Sequence, residues 1–467
     1  MFLINSNYPN RAALVCLDGD IITYRELSSL VDDFSSNIDD KSLIFILASN
    51  NLDSLVCYLS ALEVGTVPLL LHDSISNDQL DNLIAIYNPK YIFSRIALTN
   101  KSYSIKISFK GGSLFLNNKK HYANLHENLA LLLTTSGSTG SPKLVKLTKA
   151  NIKSNAESIS DFLKIGPDDR AITSLPFNYS YGLSVINSHL FSGGSLLLSN
   201  SSMMEDKFWK SINEYSVSSI AGVPYHYDMM LRLGIDNLKI PTVNKMTQAG
   251  GKLDFEKVKK VNDSLQAKGI NFYMMYGQTE ATARISYLPC ESIDKKPNSI
   301  GLPIPGGSLW LEDEKGLKIS KSMTVGEIIY KGLNVSMGYA ESIEDLATGE
   351  VNKGILRTGD LAYFDAEGYY FIEGRNSRFI KVFGNRVSLD SLEKLITAKG
   401  FDSVVIGEDD KIVIYLKEKS DLSIVDFRRE ISESIGINMI AIKVIPQIDF
   451  PRLDSGKINY KALDSYD

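Results

Sequence analysis

A cluster of small polar residues followed by a lysine is the first place where this sequence could do chemistry. The cluster comprises Thr135, Ser136, Gly137, Ser138, Thr139 and Gly140. Glycines let backbone N–H groups approach phosphate oxygens, the hydroxyls add donors, and Lys143 adds positive charge. A flexible Ser/Gly turn has the same composition, but the following Pro142 and Lys143 and the preceding apolar run Leu129–Leu133 favour a phosphate-binding loop.

Acidic and basic residues further along the chain could complete such a site. Glu280 ends the run Tyr276-Gly277-Gln278-Thr279, and a carboxylate beside polyphosphate makes physical sense through a hard cation. Asp360 could accept hydrogen bonds from two hydroxyls at once. Each residue also has an ordinary interpretation. Glu280 and Arg284 could form an i,i+4 helix pair, Asp360 could lie in a solvated turn, and Lys457 could be a surface charge.

Alternating helix and strand signals indicate the elements that must position these residues. Thr23 and Glu26 have the spacing of a capping box at a helix start. Short apolar runs at Leu43–Leu47 and Val67–Leu71 predict buried strands, separated by helical stripes. This alternation predicts an α/β fold with parallel sheets covered by helices. Near Gly374 the pattern changes, so we expect a large domain over residues 1–374 and a small α/β domain over residues 375–467.

Composition narrows the class of protein. A chain of 467 residues is too long for one ordinary core, which agrees with two domains. The net charge of -5 gives no support for nucleic-acid binding. Three scattered cysteines argue against a disulfide framework or a zinc site and suit a reducing compartment. The sequence has no signal-peptide pattern and no apolar run long enough to span a membrane, so we expect a cytoplasmic location.

Taken together, the motifs resemble those of the adenylate-forming ligases: acyl-CoA synthetases, peptide-synthetase adenylation domains and firefly-type luciferases. Their loop signature is close to Thr-Ser-Gly-Ser-Thr-Gly-x-Pro-Lys-Gly, with Leu144 replacing the last glycine here. The matches run in the family's order from Thr23 to Lys457. The resemblance implies a large N-terminal domain of stacked, mostly parallel sheets with covering helices, and a small mobile C-terminal α/β domain. It also implies ATP and Mg²⁺.

The same resemblance implies roles for individual residues. Thr279 would contact the α-phosphate, Glu280 would hold magnesium, and Lys457 would reach the carboxylate and α-phosphate during adenylation. Lys381 would approach the site for the second half-reaction, after rotation of the small domain. The remaining residues implied to bind the nucleotide are Thr135, Ser136, Gly137, Ser138, Thr139, Gly140, Lys143, Gly250, Gly251, Tyr276, Gly277, Asp360 and Arg375.

The acyl pocket is implied by a match at Phe177, Asn178, Tyr179 and Tyr181. Asn178 replaces the Asp that pairs with the α-ammonium in amino-acid-activating relatives, which argues against an ordinary α-amino acid. Clustered aromatic residues could equally be core packing. Arg284 could meet a second substrate carboxylate, or it could belong to the helix pair described above.

The predicted reaction is activation of a small carboxylic acid as an acyl-adenylate, followed by transfer to the thiol of CoA or of a separate phosphopantetheinyl carrier protein. Alternatives are a stand-alone amino-acid adenylation enzyme that loads a carrier protein, and a non-catalytic nucleotide-binding relic. A relic is expected to have lost Glu280 or Lys457, and both are present. A luciferase-like oxygenase would need the same adenylation residues, and no feature favours it.

Overall fold

The computed structural model describes residues 2–119, 122–134, 143–375, 378–383, 385–408, 410–417, 423–452 and 458–464. The chain divides into two compact units. Unit 1 comprises Met1–Ser308 and Tyr330–Leu356, and unit 2 comprises Leu309–Ile329 and Arg357–Asp467. The predicted domain boundary between residues 374 and 375 stays a prediction.

The first sheet of unit 1 is parallel at its centre and antiparallel at its ends. Its parallel strands run from Asn271–Tyr276 to Ala12–Cys16, and antiparallel strands follow at either side. In spatial order the strands are Ser299–Pro303, Ser286–Leu288, Asn271–Tyr276, Lys245–Gln248, Ser219–Gly222, Arg170–Ile172, Ser195–Leu198, Ala12–Cys16 and Ile21–Thr23.

The second sheet of unit 1 has the same plan. Four neighbouring strands are parallel, and antiparallel strands flank them. In spatial order the strands are Gly338–Ala340, Leu144–Leu147, Leu131–Thr134, Val67–His72, Leu43–Ala48, Tyr91–Ser94, Gly112–Asn117 and Tyr103–Phe109.

Helices fill the space between these two sheets. One hydrophobic core joins residues of both sheets to residues of the helices Tyr24–Ser35, Leu52–Val64, Lys149–Leu163 and Ser180–Ser192. Helix Tyr24–Ser35 begins with the predicted capping box, in which Glu26 N–H donates to Oγ1 of Thr23 and Thr23 N–H donates to Glu26. The other α-helices of unit 1 are Asn77–Tyr87, Asp206–Glu214, Pro224–Leu233 and Phe255–Gln266.

Unit 2 contains three groups of strands. The first comprises Lys318–Ile319, Ser308–Glu312, Gly326–Lys331, Ile355–Phe364 and Tyr370–Arg375, in that spatial order, although the end residues Ser308, Tyr330, Lys331, Ile355 and Leu356 are counted in unit 1. The second is the antiparallel pair Phe379–Val382 and Asn385–Ser388. The third comprises Ser403–Glu408, Lys411–Lys417 and Ile442–Gln447. Helices Leu389–Ala398 and Ile424–Ile435 cover the last group, and a short helix follows at Tyr460–Asp464.

The predicted α/β fold class is therefore observed, and the predicted strands lie within one or two residues of their expected positions. Across the described residues, no helix combines the length and the apolar character needed to cross a bilayer.

Candidate active site

The predicted phosphate loop, Thr135 to Gly140, lies outside the described residues, but both of its flanks are described. Strand Leu131–Thr134 pairs antiparallel with Leu144–Leu147, and Thr134 lies opposite Leu144. Lys143 immediately precedes the second strand. Its Nζ lies 3.1 Å from the carboxylate of Glu341 and 4.1 Å from the centre of the Tyr339 ring. Strand Gly338–Ala340 brings Tyr339 to this point because it pairs with Leu144–Leu147.

Tyr339 connects Lys143 to the predicted metal ligand. Its hydroxyl donates to Oε1 of Glu280 at 2.8 Å. Partial burial raises the pKa of Tyr339, and the Glu280 carboxylate raises it further, so the phenol stays protonated and acts as the donor. A cation, a phenol and a carboxylate thus lie in a row. The contact joins residues 59 positions apart, so no local sequence pattern predicts it.

The backbone packs closely around the turn that carries Thr279 and Glu280, where Gly277 lies against Ala283. Residues Thr279–Ala281 form a single 3-10 turn, and Thr282 then adopts a φ of 62°. A side chain at Gly277 would meet the Ala283 carbonyl oxygen at 1.7 Å, so only glycine fits. Because the helix stops here, the i,i+4 pairing of Glu280 with Arg284 does not form, and that interpretation is wrong.

Asn334 is a positioning residue that sequence reasoning missed. Its Nδ2 donates to the carbonyl oxygens of Ala281 at 2.9 Å and Arg284 at 2.7 Å. The backbone carbonyl oxygen of Asn334 accepts a hydrogen bond from the Thr282 hydroxyl at 2.8 Å. Tyr330 donates to Asn334 Oδ1 at 2.7 Å and fixes the amide orientation. Asn334 is buried, so these bonds hold the turn rigidly. The long separation in sequence leaves no local signal for this role.

The turn also contacts the predicted acyl-pocket segment. Oγ1 of Thr279 lies 3.3 Å from Oγ of Ser180, at the start of helix Ser180–Ser192. Tyr179 precedes that helix, and its hydroxyl would lie 2.6 Å from a side chain placed at Gly250. Gly250 has a φ of 87° and therefore favours glycine on backbone grounds as well. Gly251 accepts a hydrogen bond from Gln248 at 2.8 Å. Three predicted motifs therefore meet in unit 1.

Tyr181 and Arg284 form the buried base of this region. The guanidinium carbon of Arg284 lies 4.0 Å from the centre of the Tyr181 ring, a cation–π geometry. The Tyr181 hydroxyl hydrogen-bonds to the carbonyl and the hydroxyl of Thr247. Burial raises the pKa of Tyr181 to about 12. Burial lowers the pKa of the Arg284 guanidinium from its ordinary value, and an arginine remains charged under such conditions.

The other two predicted pocket residues have different surroundings. Phe177 is buried in the core between the sheets, where its ring meets Tyr58 edge to face at 5.4 Å. Asn178 is partly exposed, but its Oδ1 is buried and has no hydrogen-bond partner among the described residues. The pocket roles of Phe177, Asn178, Tyr179 and Tyr181 remain predictions.

Asp360 and Arg375 are paired within unit 2. They lie opposite each other on antiparallel strands, and Arg375 Nε donates to Asp360 Oδ1 at 2.9 Å. The Asp360 side chain is 3% exposed, whereas that of Arg375 is 58% exposed. The arginine therefore fixes the buried carboxylate while its own outer edge remains accessible.

Lys457 lies outside the described residues, and for Lys381 the structure describes only the backbone, in strand Phe379–Val382. The residues after Lys457 are well anchored. Ile458 forms an antiparallel bridge with Arg452, and the ring of Tyr460 lies under the guanidinium of Arg378 at 4.5 Å. Leu463 is fully buried.

Comparison with known proteins identifies the family. The model of the AMP-binding enzyme family matches residues 4–340, and the chain belongs to this family. The predicted recognition as an adenylate-forming ligase is confirmed. The relatives include AMP-forming CoA ligases and adenylation enzymes, the predicted enzyme class.

Among curated relatives, a 2-succinylbenzoate–CoA ligase of Bacillus cereus (strain Q1) is 26% identical, with 83% of this chain and 80% of that protein covered. A hybrid PKS-NRPS synthetase of Fusarium sp. (strain FN080326) is also 26% identical over 84% of this chain. The chain spans only 11% of the length of that synthetase.

Solved structures share the fold. One is the o-succinylbenzoate CoA synthetase of Bacillus subtilis in complex with an acyl-adenylate intermediate. It superposes with a TM-score of 0.78 at 21% sequence identity, and the aligned region covers 98% of this chain and 96% of the synthetase chain. The same enzyme with ATP and magnesium ion has a TM-score of 0.76 at 21% identity, with 96% of each chain covered. The predicted fold class is confirmed by these matches.

Proposed function

We propose that this protein is an ATP-dependent, AMP-forming ligase that adenylates a small carboxylic acid, releases pyrophosphate and transfers the acyl group to a thiol. The observation that carries the proposal is the row of contacts from Lys143 through Tyr339 to Glu280. It joins the end of the proposed phosphate loop to the proposed metal ligand, in the same turn that carries Thr279.

The side chains present fit ATP with Mg²⁺. Among the described residues, no group of three or more His, Cys, Asp or Glu could hold a metal ion. Mg²⁺ commonly takes one or two protein carboxylates and completes its shell with phosphate oxygens and water, so Glu280 could serve as its protein ligand. Glu280 is partly exposed and Tyr339 binds one of its oxygens. When bound there, the ion would neutralise charge on the phosphates.

Adenylation requires positioning and charge stabilisation more than covalent help from the protein. A carboxylate oxygen of the acid attacks the α-phosphorus of ATP, an acyl–phosphate bond forms, and the bond to pyrophosphate breaks. Negative charge develops on phosphate oxygens during this step. Thr279 would donate to the α-phosphate, and Lys457 would bring a cation to the reacting oxygens. The loop Thr135 to Gly140 and Lys143 would guide the departing pyrophosphate.

Other residues would bind the nucleotide and exclude water. Gly250, Gly251, Tyr276 and Gly277 would form the walls that face the nucleotide and the acyl group. Asp360, fixed by Arg375, would accept from the ribose hydroxyls, since a carboxylate oxygen can accept more than one hydrogen bond. Exclusion of water protects the mixed anhydride from hydrolysis.

The second half-reaction would transfer the acyl group to the thiol of CoA or of a separate phosphopantetheinyl carrier protein. Rotation of a small domain, residues 375–467, against a large domain, residues 1–374, would exchange Lys457 for Lys381 at the reacting group. The relatives support both acceptors, because they include CoA ligases and multidomain synthetases.

The second candidate function is amino-acid adenylation for a carrier protein. The buried, unpartnered Oδ1 of Asn178 is the observation that favours it, because that atom could accept from a substrate amino group. An amide carries no charge, however, so it would compensate a buried ammonium poorly. A non-catalytic relic would bind ATP and give no exchange with any acid.

An exchange assay tests the main proposal. Labelled pyrophosphate is exchanged into ATP in the presence of small aliphatic, aryl, hydroxy and amino acids, with the original protein and with Lys457→Ala. We expect at least one acid to support exchange, and Lys457→Ala to lower the rate by at least about 100-fold while ATP binding persists, because a donor aimed at developing charge acts mainly in the transition state. Lys443→Ala, at an exposed position of unit 2, is the control and should keep the original rate. Unchanged exchange in Lys457→Ala, or cleavage of ATP only to ADP, would contradict the proposal.

A further inference from the structure

Arg284 carries a buried charge that faces no carboxylate in the part of the chain that the structure describes. The residue is 3% exposed. It donates from Nε to the sulfur of Met275 at 3.3 Å and from Nη1 to the carbonyl of Ala283 at 3.2 Å. A thioether is a weak acceptor, and the second bond is made to the adjoining residue. Among the described residues, no Asp or Glu forms an ion pair with this guanidinium.

Another buried cation shows how the fold satisfies such a charge where it is structural. Lys146 is fully buried, and its ammonium donates to the carbonyls of Asp345 and Thr348 and to the Thr348 hydroxyl. Several oxygen acceptors thus surround Lys146. Arg284 has the face of Tyr181 and few acceptors, and the described residues supply no anion of the kind that a buried guanidinium normally requires.

The position of Arg284 indicates where an anion would come from. It belongs to the same turn as Thr279, and Thr279 contacts Ser180, the neighbour of Tyr181. Tyr181 stacks on Arg284, and Tyr179 lies against Gly250. Glu280 instead accepts from the Tyr339 hydroxyl, and the Tyr339 ring contacts Lys143, on the side proposed for the phosphates. Arg284 therefore belongs with the residues of the acyl pocket rather than with those of the phosphate site.

We infer that Arg284 binds a second carboxylate of the acid substrate, so that the enzyme activates a dicarboxylic acid at one end while Arg284 holds the other. A guanidinium matches a carboxylate in a two-bond geometry, and burial strengthens the contact. The inference rests on the proposed adenylation activity and adds the substrate class. Arg284 is then a specificity-determining residue, because a monocarboxylic acid would leave its charge unpaired.

Matched acid pairs test this inference. Each pair joins a dicarboxylic acid (malonic, succinic, glutaric or phthalic) to its monomethyl ester, which keeps one carboxylate for adenylation and has nearly the same shape. Acid-dependent pyrophosphate exchange is measured for the original protein, Arg284→Met, Arg284→Lys and the control Arg232→Met, which removes an exposed arginine of unit 1. Thermal unfolding of each variant checks that it is folded.

We expect kcat/KM for at least one diacid to exceed that of its monoester by at least about 100-fold. Binding of the monoester would leave the buried Arg284 guanidinium without a carboxylate, which makes its transition state less stable. Arg284→Met should reduce that ratio to about 1, mainly by lowering kcat/KM for the diacid, and Arg284→Lys should restore part of the preference. Arg232→Met should keep the original ratio. A loss of folded structure would lower both rates and would leave the ratio unchanged, so the ratio reports substrate contact.

The contrary results separate the two proposals. If monoesters or other monocarboxylic acids support exchange as well as the diacids, and Arg284→Met leaves the ratio unchanged, the inference is wrong and the adenylation activity stands. If no acid of any kind supports exchange, the proposed function is itself wrong and the inference fails with it.

Discussion

Two buried cations in unit 1, Lys245 and Arg284, have opposite surroundings. The ammonium of Lys245 lies 2.9 Å from Asp169, and the same carboxylate accepts from Gly166 N–H at 2.9 Å and from the Ser218 hydroxyl at 3.0 Å. Lys245 and Asp169 are both less than a tenth exposed. Arg284 is buried to a similar degree but has no carboxylate partner among the described residues.

The difference distinguishes a structural charge from one that is available to a ligand. Removing one member of a complete buried pair leaves the other uncompensated, which is costly. Removing a cation that has no anion relieves a desolvation penalty instead. Stability measurements can therefore separate the two classes without any knowledge of the substrate.

The largest effect is expected for Asp169→Asn. This variant leaves Lys245 buried without an anion, and we expect the free energy of unfolding to fall by about 3–5 kcal/mol, measured by urea denaturation. Arg284→Met should leave the unfolding free energy unchanged or higher, because no partner is left behind. The double variant Asp169→Asn with Lys245→Met should recover most of the loss. Equal destabilisation by Asp169→Asn and Arg284→Met would remove the distinction between the two cations.

A smaller, pH-dependent effect follows from the same ion pair. Burial by itself raises the pKa of Asp169, but the contacts with Lys245, Gly166 and Ser218 outweigh it, and the pKa lies below the ordinary value of 3.8. A depressed carboxyl pKa contributes stability above the unfolded value, and this contribution is lost as the pH falls through the folded value. The gap in unfolding free energy between the original protein and Asp169→Asn should therefore be constant from about pH 7 to pH 5 and narrow below about pH 4. A gap that widens on acidification would contradict the assigned charge state.

The smallest effect concerns the backbone next to Arg284. Thr282 is β-branched and has a φ of 62°, an unfavourable conformation that costs about 1–3 kcal/mol. Its hydroxyl recovers about 1 kcal/mol through the bond to Asn334. Thr282→Ala keeps the strain and loses the bond, whereas Thr282→Gly loses both. We expect the glycine variant to be more stable than the alanine variant by about 1 kcal/mol in urea denaturation. An alanine variant as stable as the glycine variant would indicate an unstrained turn.

Local sequence signals predicted much of the fold. The capping box at Thr23 and Glu26 depends on side chains three residues apart, and the apolar run that became strand Leu43–Ala48 needs no distant partner to be recognised. Helix Asn77–Tyr87 also ends at a local signal, because Asn88 adopts the left-handed conformation and a proline follows it. These elements are specified by neighbouring residues, so the sequence is sufficient to find them.

The geometry of the candidate site depends instead on distant residues. Asn334 fixes the turn at Ala281 and Arg284 from about fifty positions away, and Tyr339 reaches Glu280 over a similar distance. No periodicity encodes such contacts. Helical spacing suggested a Glu280–Arg284 pair, but Thr282 ends the helical geometry between them and the two side chains have different partners. Tertiary contacts override the local pattern at this point.

The bridge between Arg452 and Ile458 has a consequence for the entropy of the proposed reaction. Ile458 directly follows Lys457, and the chain beyond it is fixed by the contact of Tyr460 with Arg378 and by the buried Leu463. A lysine on a freely moving tail would lose much conformational freedom each time it reached the phosphate. With the role proposed for Lys457, anchorage of its chain neighbour would lower that cost and would raise the effective concentration of the ammonium group at the reacting oxygens.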